Sequence, residues 1–222
     1  MKAYQDASLA PVRRAKALLE EMTLAEKIGQ LNQRLYGFRI YERKCVNGED
    51  TIELSEEFCQ EVEKYSGLGV LYGLYRADPW ADKNYETGLT GVLSKKAYNQ
   101  VQRYVLEHSR LGIPVMMSSE CPHGHQALDG YLLPVNLLAG ATFDPAMVRA
   151  AYRVSGRQLQ NMGVDLALMS MLDVLRDPRW GRSEECYSED PYLSARMAEA
   201  AVIGMHCLLY TSPSPRDGAT SR

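Results

Sequence analysis

Three short, continuous apolar runs constrain this 222-residue chain more than any other feature. They are LGVLYGL at 68–74, IPVMMS at 113–118, and the centre of VDLALMSMLDV at 164–174. Each is too short for a helix and does not alternate with polar residues, the pattern of a parallel strand covered on both faces. Helix-length segments lie between them. Ser94 to Ser109 places Ala97, Val101, Tyr104 and Val105 on one face. Asp144-Pro145, a cap followed by proline, starts a second helix with Val148, Ala151, Tyr152, Ser155 and Leu159 inward, ended by Gly163. Strand, long connection, helix, strand is the order of parallel βα units. The class is α/β, and barrel and open-sheet versions remain equally open at this level.

The flanks add further helices. Val12 to Met22 is amphipathic, and Thr23-Leu24-Ala25-Glu26 is a capping box for a short helix after it. Ser55 caps a helix to about Ser66, and Asp190-Pro191 opens one running to about Met205. Between residues 34 and 50 the chain is polar, with one turn signal, Asn47-Gly48.

Charge and cysteine content exclude several classes. A formal net charge of −3 with no basic stripe argues against a nucleic-acid partner. No apolar run approaches the ~20 residues that cross a bilayer, so no membrane partner is expected. The opening Met1-Lys2-Ala3-Tyr4-Gln5-Asp6 has no apolar signal core, and a cytoplasmic location is the expectation. The five cysteines show no metal spacing and read as free thiols.

Polar clusters at the strand ends point to chemistry. After IPVMMS comes Ser119-Glu120-Cys121-Pro122-His123-Gly124-His125, and after the third run comes Arg176-Asp177-Pro178-Arg179-Trp180-Gly181-Arg182. Parallel α/β folds keep their sites at this carboxyl end of the strands. A carboxylate accepts from adjacent sugar hydroxyls, and a guanidinium donates in a fixed fork. Plainer roles compete with this one. Glu120 suits a cap or an ion pair, and Arg179 and Arg182 suit pairing with Glu184, Glu185, Glu189 or Asp190. His123 and His125 suit loop stabilisation, and Asp173 falls inside the third strand.

Four longer strings are more specific. MTLAEKIGQLNQ, RLGIPVMMSSECPHGH, LAGATFDPAMVRAAYRVSGRQLQNMGVDLALMSMLDVLRDPRWGR and SEECYSEDPYL together resemble glycoside hydrolase family 3, in the family's order from about Tyr4 to His206. The resemblance implies a partial (β/α)8 TIM-like barrel over residues 1–206, truncated after about three strands. It implies retaining hydrolysis of terminal non-reducing β-linked sugars, of β-glucosidase or β-xylosidase type, by a longer parent. It assigns Glu120 and Arg179 to the terminal sugar and His123 to orienting the pocket loop. The nucleophilic aspartate and the acid/base glutamate would lie beyond this chain, so none of its residues is catalytic and the chain alone is expected to be inactive. No metal or cofactor is implied, and the partners are small β-glycosides or short oligosaccharides. Glu120 departs from the aspartate many members carry there, and Leu133-Pro134 replaces the usual Phe-Pro.

Residues 207–222 read differently. A back-translation of Cys207 to Asp217 resembles the transposase adaptor of short-read sequencing libraries, so this stretch is expected to be non-native. Two other functions stand as alternatives: a metal-dependent barrel hydrolase using His123 and His125, and a non-catalytic sugar-binding fragment.

Overall fold

Side-chain caps set where the helices begin. In the computed structural model, which describes residues 2–169 and 171–206, Thr23 Oγ1 accepts from Glu26 N–H at 3.2 Å while Glu26 Oε2 accepts from Thr23 N–H at 2.8 Å. This closes the capping box that starts α2 (Leu24–Leu31), just after α1 (Pro11–Glu21). Ser55 caps α3 (Glu56–Tyr65) by accepting from Phe58 N–H. Contacts divide the described residues into two units, one within residues 2–74 and 95–116, the other within residues 75–94 and 117–206.

In the first unit, Asn47 and Gly48 both take positive φ, 53° and 81°. They join β1 (Tyr41–Val46) to β2 (Glu49–Leu54) in an antiparallel hairpin with Tyr41 opposite Leu54. The strand β3 (Val70–Tyr72) forms inside the first apolar run. Most of α4 (Gly91–Glu107) belongs to this unit, and it buries Ala97, Val101 and Val105 completely. Phe58, Val62, Leu68 and Leu71 complete that core. The helix α1 also forms but buries none of its residues, and its Val12 and Leu19 are exposed.

In the second unit, β4 (Met116–Cys121) and β5 (Leu166–Met169) pair in parallel, with Glu120 opposite Leu168. Asp165 locks their start: its N–H donates to Met117 O at 2.8 Å, and Met117 N–H donates to its Oδ2 at 2.8 Å. The short α5 (Asn136–Gly140) precedes α6 (Pro145–Asn161), whose cap Asp144 accepts from Ala146 and Met147 N–H. Against α6 lies α7 (Pro191–His206), and a Cβ on Gly204 would stand 2.4 Å from the Arg149 carbonyl oxygen. The absent side chain is what permits this close approach of two helix backbones.

Several boundaries differ from those read in the sequence. The second strand starts at Met116 rather than Ile113. Pro114 has no N–H to give a ladder, and both backbone groups of Val115 are taken by the Gln102 side chain, at 2.7 and 3.1 Å. The third strand is half-exposed rather than buried and stops at Met169, so Asp173 is exposed and outside it. The stretch 207–222 lies outside the described residues. Among those described, no helix is long and apolar enough to cross a membrane.

Candidate functional site

The second unit gathers charged side chains around the carboxyl end of β4. Along that strand Met117, Ser119 and Cys121 share one buried face, while Glu120 points to the other and stays partly open, its side chain 24% exposed. Burial pushes the Cys121 thiol up to about 12, so it stays protonated and serves packing rather than chemistry.

Glu120 meets the loop that leaves the first apolar run. Arg76 Nη1 lies 3.5 Å from Glu120 Oε1, and Arg76 Nε and Nη2 reach Asp78 Oδ2 at 2.7 and 2.6 Å. The guanidinium also lies 4.5 Å from the centre of the Trp80 ring. Burial would raise the Asp78 pKa, but the bond from Arg76 and the backbone bonds from Ala81 and Trp80 outweigh it and hold the carboxyl below its usual range. The two loops are stitched by backbone bonds: Ala77 N–H donates to Gln126 O, and Gln126 N–H donates to Glu120 O, both at 3.2 Å.

The two histidines of the loop after Glu120 sit in different settings. His125 is fully buried, with Nε2 2.9 Å from Ser119 Oγ and its ring edge-on to Tyr75 at 6.2 Å. Burial pushes its pKa down to about 4, which keeps the imidazole neutral. His123 is half-buried and contributes in a minor way to the lowered Glu185 pKa, an effect led by the hydrogen bond from Arg182. His125 therefore belongs to the core, not to a pair of imidazoles offered to a metal. Among the described residues no group of three or more His, Cys, Asp or Glu is placed to hold a metal ion.

A buried relay of polar groups ties this loop to the segment after β5. Tyr187 Oη donates to Tyr152 Oη at 3.4 Å, and Tyr152 Oη lies 2.6 Å from the Pro122 carbonyl, to which it donates. Asn136 Oδ1 is 3.2 Å from the same hydroxyl, and Asn136 Nδ2 donates to Glu185 O at 2.8 Å. The loop after β4 is thus fastened to residues 185–187, beyond DPRWGR, through side chains on α5 and α6.

The arginines of DPRWGR behave differently from one another. Arg182 makes a two-pronged bond to Glu185 at 2.7 and 2.6 Å, the neighbour pairing expected for it. Its raised pKa, led by that bond, also carries contributions from Glu120 and Asp173. Arg179 turns back on Asp177, at 3.0 and 2.6 Å, with its side chain 88% exposed. The structure brings Glu120, His123, Arg182 and Glu185 into one electrostatic neighbourhood, and it leaves Arg179 held by Asp177. Arg76 and Asp78 were not singled out from sequence. Their signal was available: they come after the first apolar run as the ECPHGH and DPRWGR clusters come after the second and third.

Parallel strands with helices beside them, and carboxylates and guanidinium groups gathered at a strand end, define an α/β protein. The profile of the glycosyl hydrolase family 3 N-terminal domain matches residues 23–209, and the chain belongs to that family. It is 29% identical to a periplasmic β-glucosidase of Salmonella typhimurium over 188 residues, 85% of this chain and 20% of that enzyme. A β-glucosidase structure from Erythrobacter marinus superposes with a TM-score of 0.71 at 28% identity, covering 96% of this chain and 25% of that one. The β-glucosidase of Listeria innocua in complex with glucose superposes with a TM-score of 0.65 at 28% identity, covering 87% and 23%. The chain therefore spans about a quarter or less of the length of these relatives.

Proposed function

We propose that this chain is the N-terminal part of a retaining β-glycosidase that releases terminal β-linked glucose, with xylose as the nearest competing sugar. Glu120 carries the reading. It is a half-open carboxylate at a parallel strand end, seated among charged groups, in a chain whose relatives include β-glucosidases and β-xylosidases. In this reading Glu120 accepts from two hydroxyls of the terminal sugar, and bonds of that charge-assisted kind contribute about 1.5–3 kcal/mol each. Arg179 donates to the same sugar by exchanging Asp177 for a hydroxyl, and an exposed ion pair is a weak tether. His123 shapes the loop between them.

Retention requires a nucleophilic and an acid/base carboxylate roughly 5–5.5 Å apart. Both would come from later parts of the polypeptide, so the chain on its own binds weakly and turns nothing over. The test is to express the complete polypeptide and assay p-nitrophenyl β-D-glucoside, β-D-xyloside and N-acetyl-β-D-glucosaminide, following the product anomer by proton NMR. Turnover of the glucoside with β-anomer formed first supports the reading. No turnover of any of the three, or α-anomer first, contradicts it.

A further inference from the structure

We infer that Arg76 is a positioning residue for Glu120, supplied by a third strand-end loop. The inference rests on the function proposed above and adds a specificity element to the same site. A glutamate has one more rotatable bond than an aspartate, so an unrestrained Glu120 would lose more side-chain freedom on gripping a sugar. Arg76 removes that freedom beforehand. Its Nε and Nη2 are fixed on Asp78 Oδ2, and Asp78 Oδ1 in turn accepts from Ala81 N–H at 2.9 Å. The guanidinium also lies 4.5 Å from the centre of the Trp80 ring, and its Nη1 lies 3.5 Å from Glu120 Oε1.

The arrangement is built rather than incidental. Arg76 and Asp78 side chains are only 15% and 19% exposed, where ion pairs are screened less than at the surface. One cation between two carboxylates leaves the trio with a net negative charge, so Glu120 stays a strong acceptor for hydroxyl protons. Trp80 is 48% exposed beside it and offers an apolar wall next to the polar grip.

A double-mutant cycle in the complete polypeptide tests this, with Arg76→Met, Glu120→Gln and the pair, read as kcat/KM on p-nitrophenyl β-D-glucoside. Arg76→Met alone is expected to lower kcat/KM by roughly 10-fold or more, and by less than about threefold once Glu120 is Gln, because coupled residues share one effect. Arg76→Lys, which keeps a cation but not the fork, is expected to fall between wild type and Arg76→Met; it carries the cycle if Arg76→Met does not fold. Losses that simply multiply, or an Arg76 variant with wild-type kcat/KM, overturn the inference. The same cycle is read as the Kd for glucose if the polypeptide turns over no aryl glycoside. Coupled losses in glucose binding would then uphold Arg76 while the hydrolase reading falls, and independent losses would overturn Arg76 as well.

Discussion

His125 and Glu26 each contribute to the pH dependence of stability, in different units and different pH windows. His125 is buried neutral, with its pKa pushed from 6.5 to about 4. The unfolded chain therefore takes up the proton more readily, and the stabilisation is full above pH 6.5 and lost as pH falls toward 4, by roughly 3 kcal/mol at most. Glu26, held by Arg110 at 2.9 and 2.7 Å and by Thr23, is lowered from 4.5 to about 2. Its contribution is full above pH 4.5 and lost between there and pH 2. Acid titration followed by amide hydrogen exchange should loosen the His125 unit first and the Glu26 unit second. His125→Gln should flatten the change between pH 6.5 and 4, and a first step that survives this substitution would refute the assignment. Thr23→Ala should cost about 1 kcal/mol in a urea melt at pH 7, the usual cost of a lost cap.

At the scale of elements, the crossing of α6 and α7 depends on glycine. Gly204→Ala forces a methyl against the Arg149 carbonyl and should destabilise by about 1–3 kcal/mol. Gly181→Ala meets nothing within 4 Å and should stay within about 0.5 kcal/mol. Equal melting of the two variants would show that the helices can separate without cost. The helices were legible in the sequence because their signals are local: Thr23, Ser55 and Asp144 each cap the helix that their position announces. The hairpin β1–β2 was read only as a turn, because Tyr41 and Ile52 are its only buried residues, too few for an alternating pattern. Strand limits were misread where tertiary bonds decide them, as the Gln102 side chain does for Val115. The place of Glu120 near the carboxyl end of a strand was legible from the apolar run before it. The bond between Arg179 and Asp177, and the reach of Arg76 across 44 residues to Glu120, depend on loop geometry that composition does not reveal.

For the whole molecule, the chain belongs to family 3 and spans about a quarter or less of the length of the β-glucosidases compared above. The described residues hold two parallel strands paired in the second unit, and β5 keeps Leu166 40% exposed, with Leu172 beyond it 63% exposed. A half-covered strand of this kind is an aggregation hazard. The 222-residue chain expressed alone should bind a hydrophobic dye strongly, and the complete polypeptide should not. Equal, weak dye binding by both would mean that the apolar surface of β5 needs no further cover. The measurement that bears most directly on Glu120 as the sugar grip is kcat/KM of Glu120→Gln in the complete polypeptide on p-nitrophenyl β-D-glucoside. Loss of a charge-assisted sugar contact predicts a fall of about 10- to 150-fold with the fold intact. A value within threefold of wild type would contradict that role.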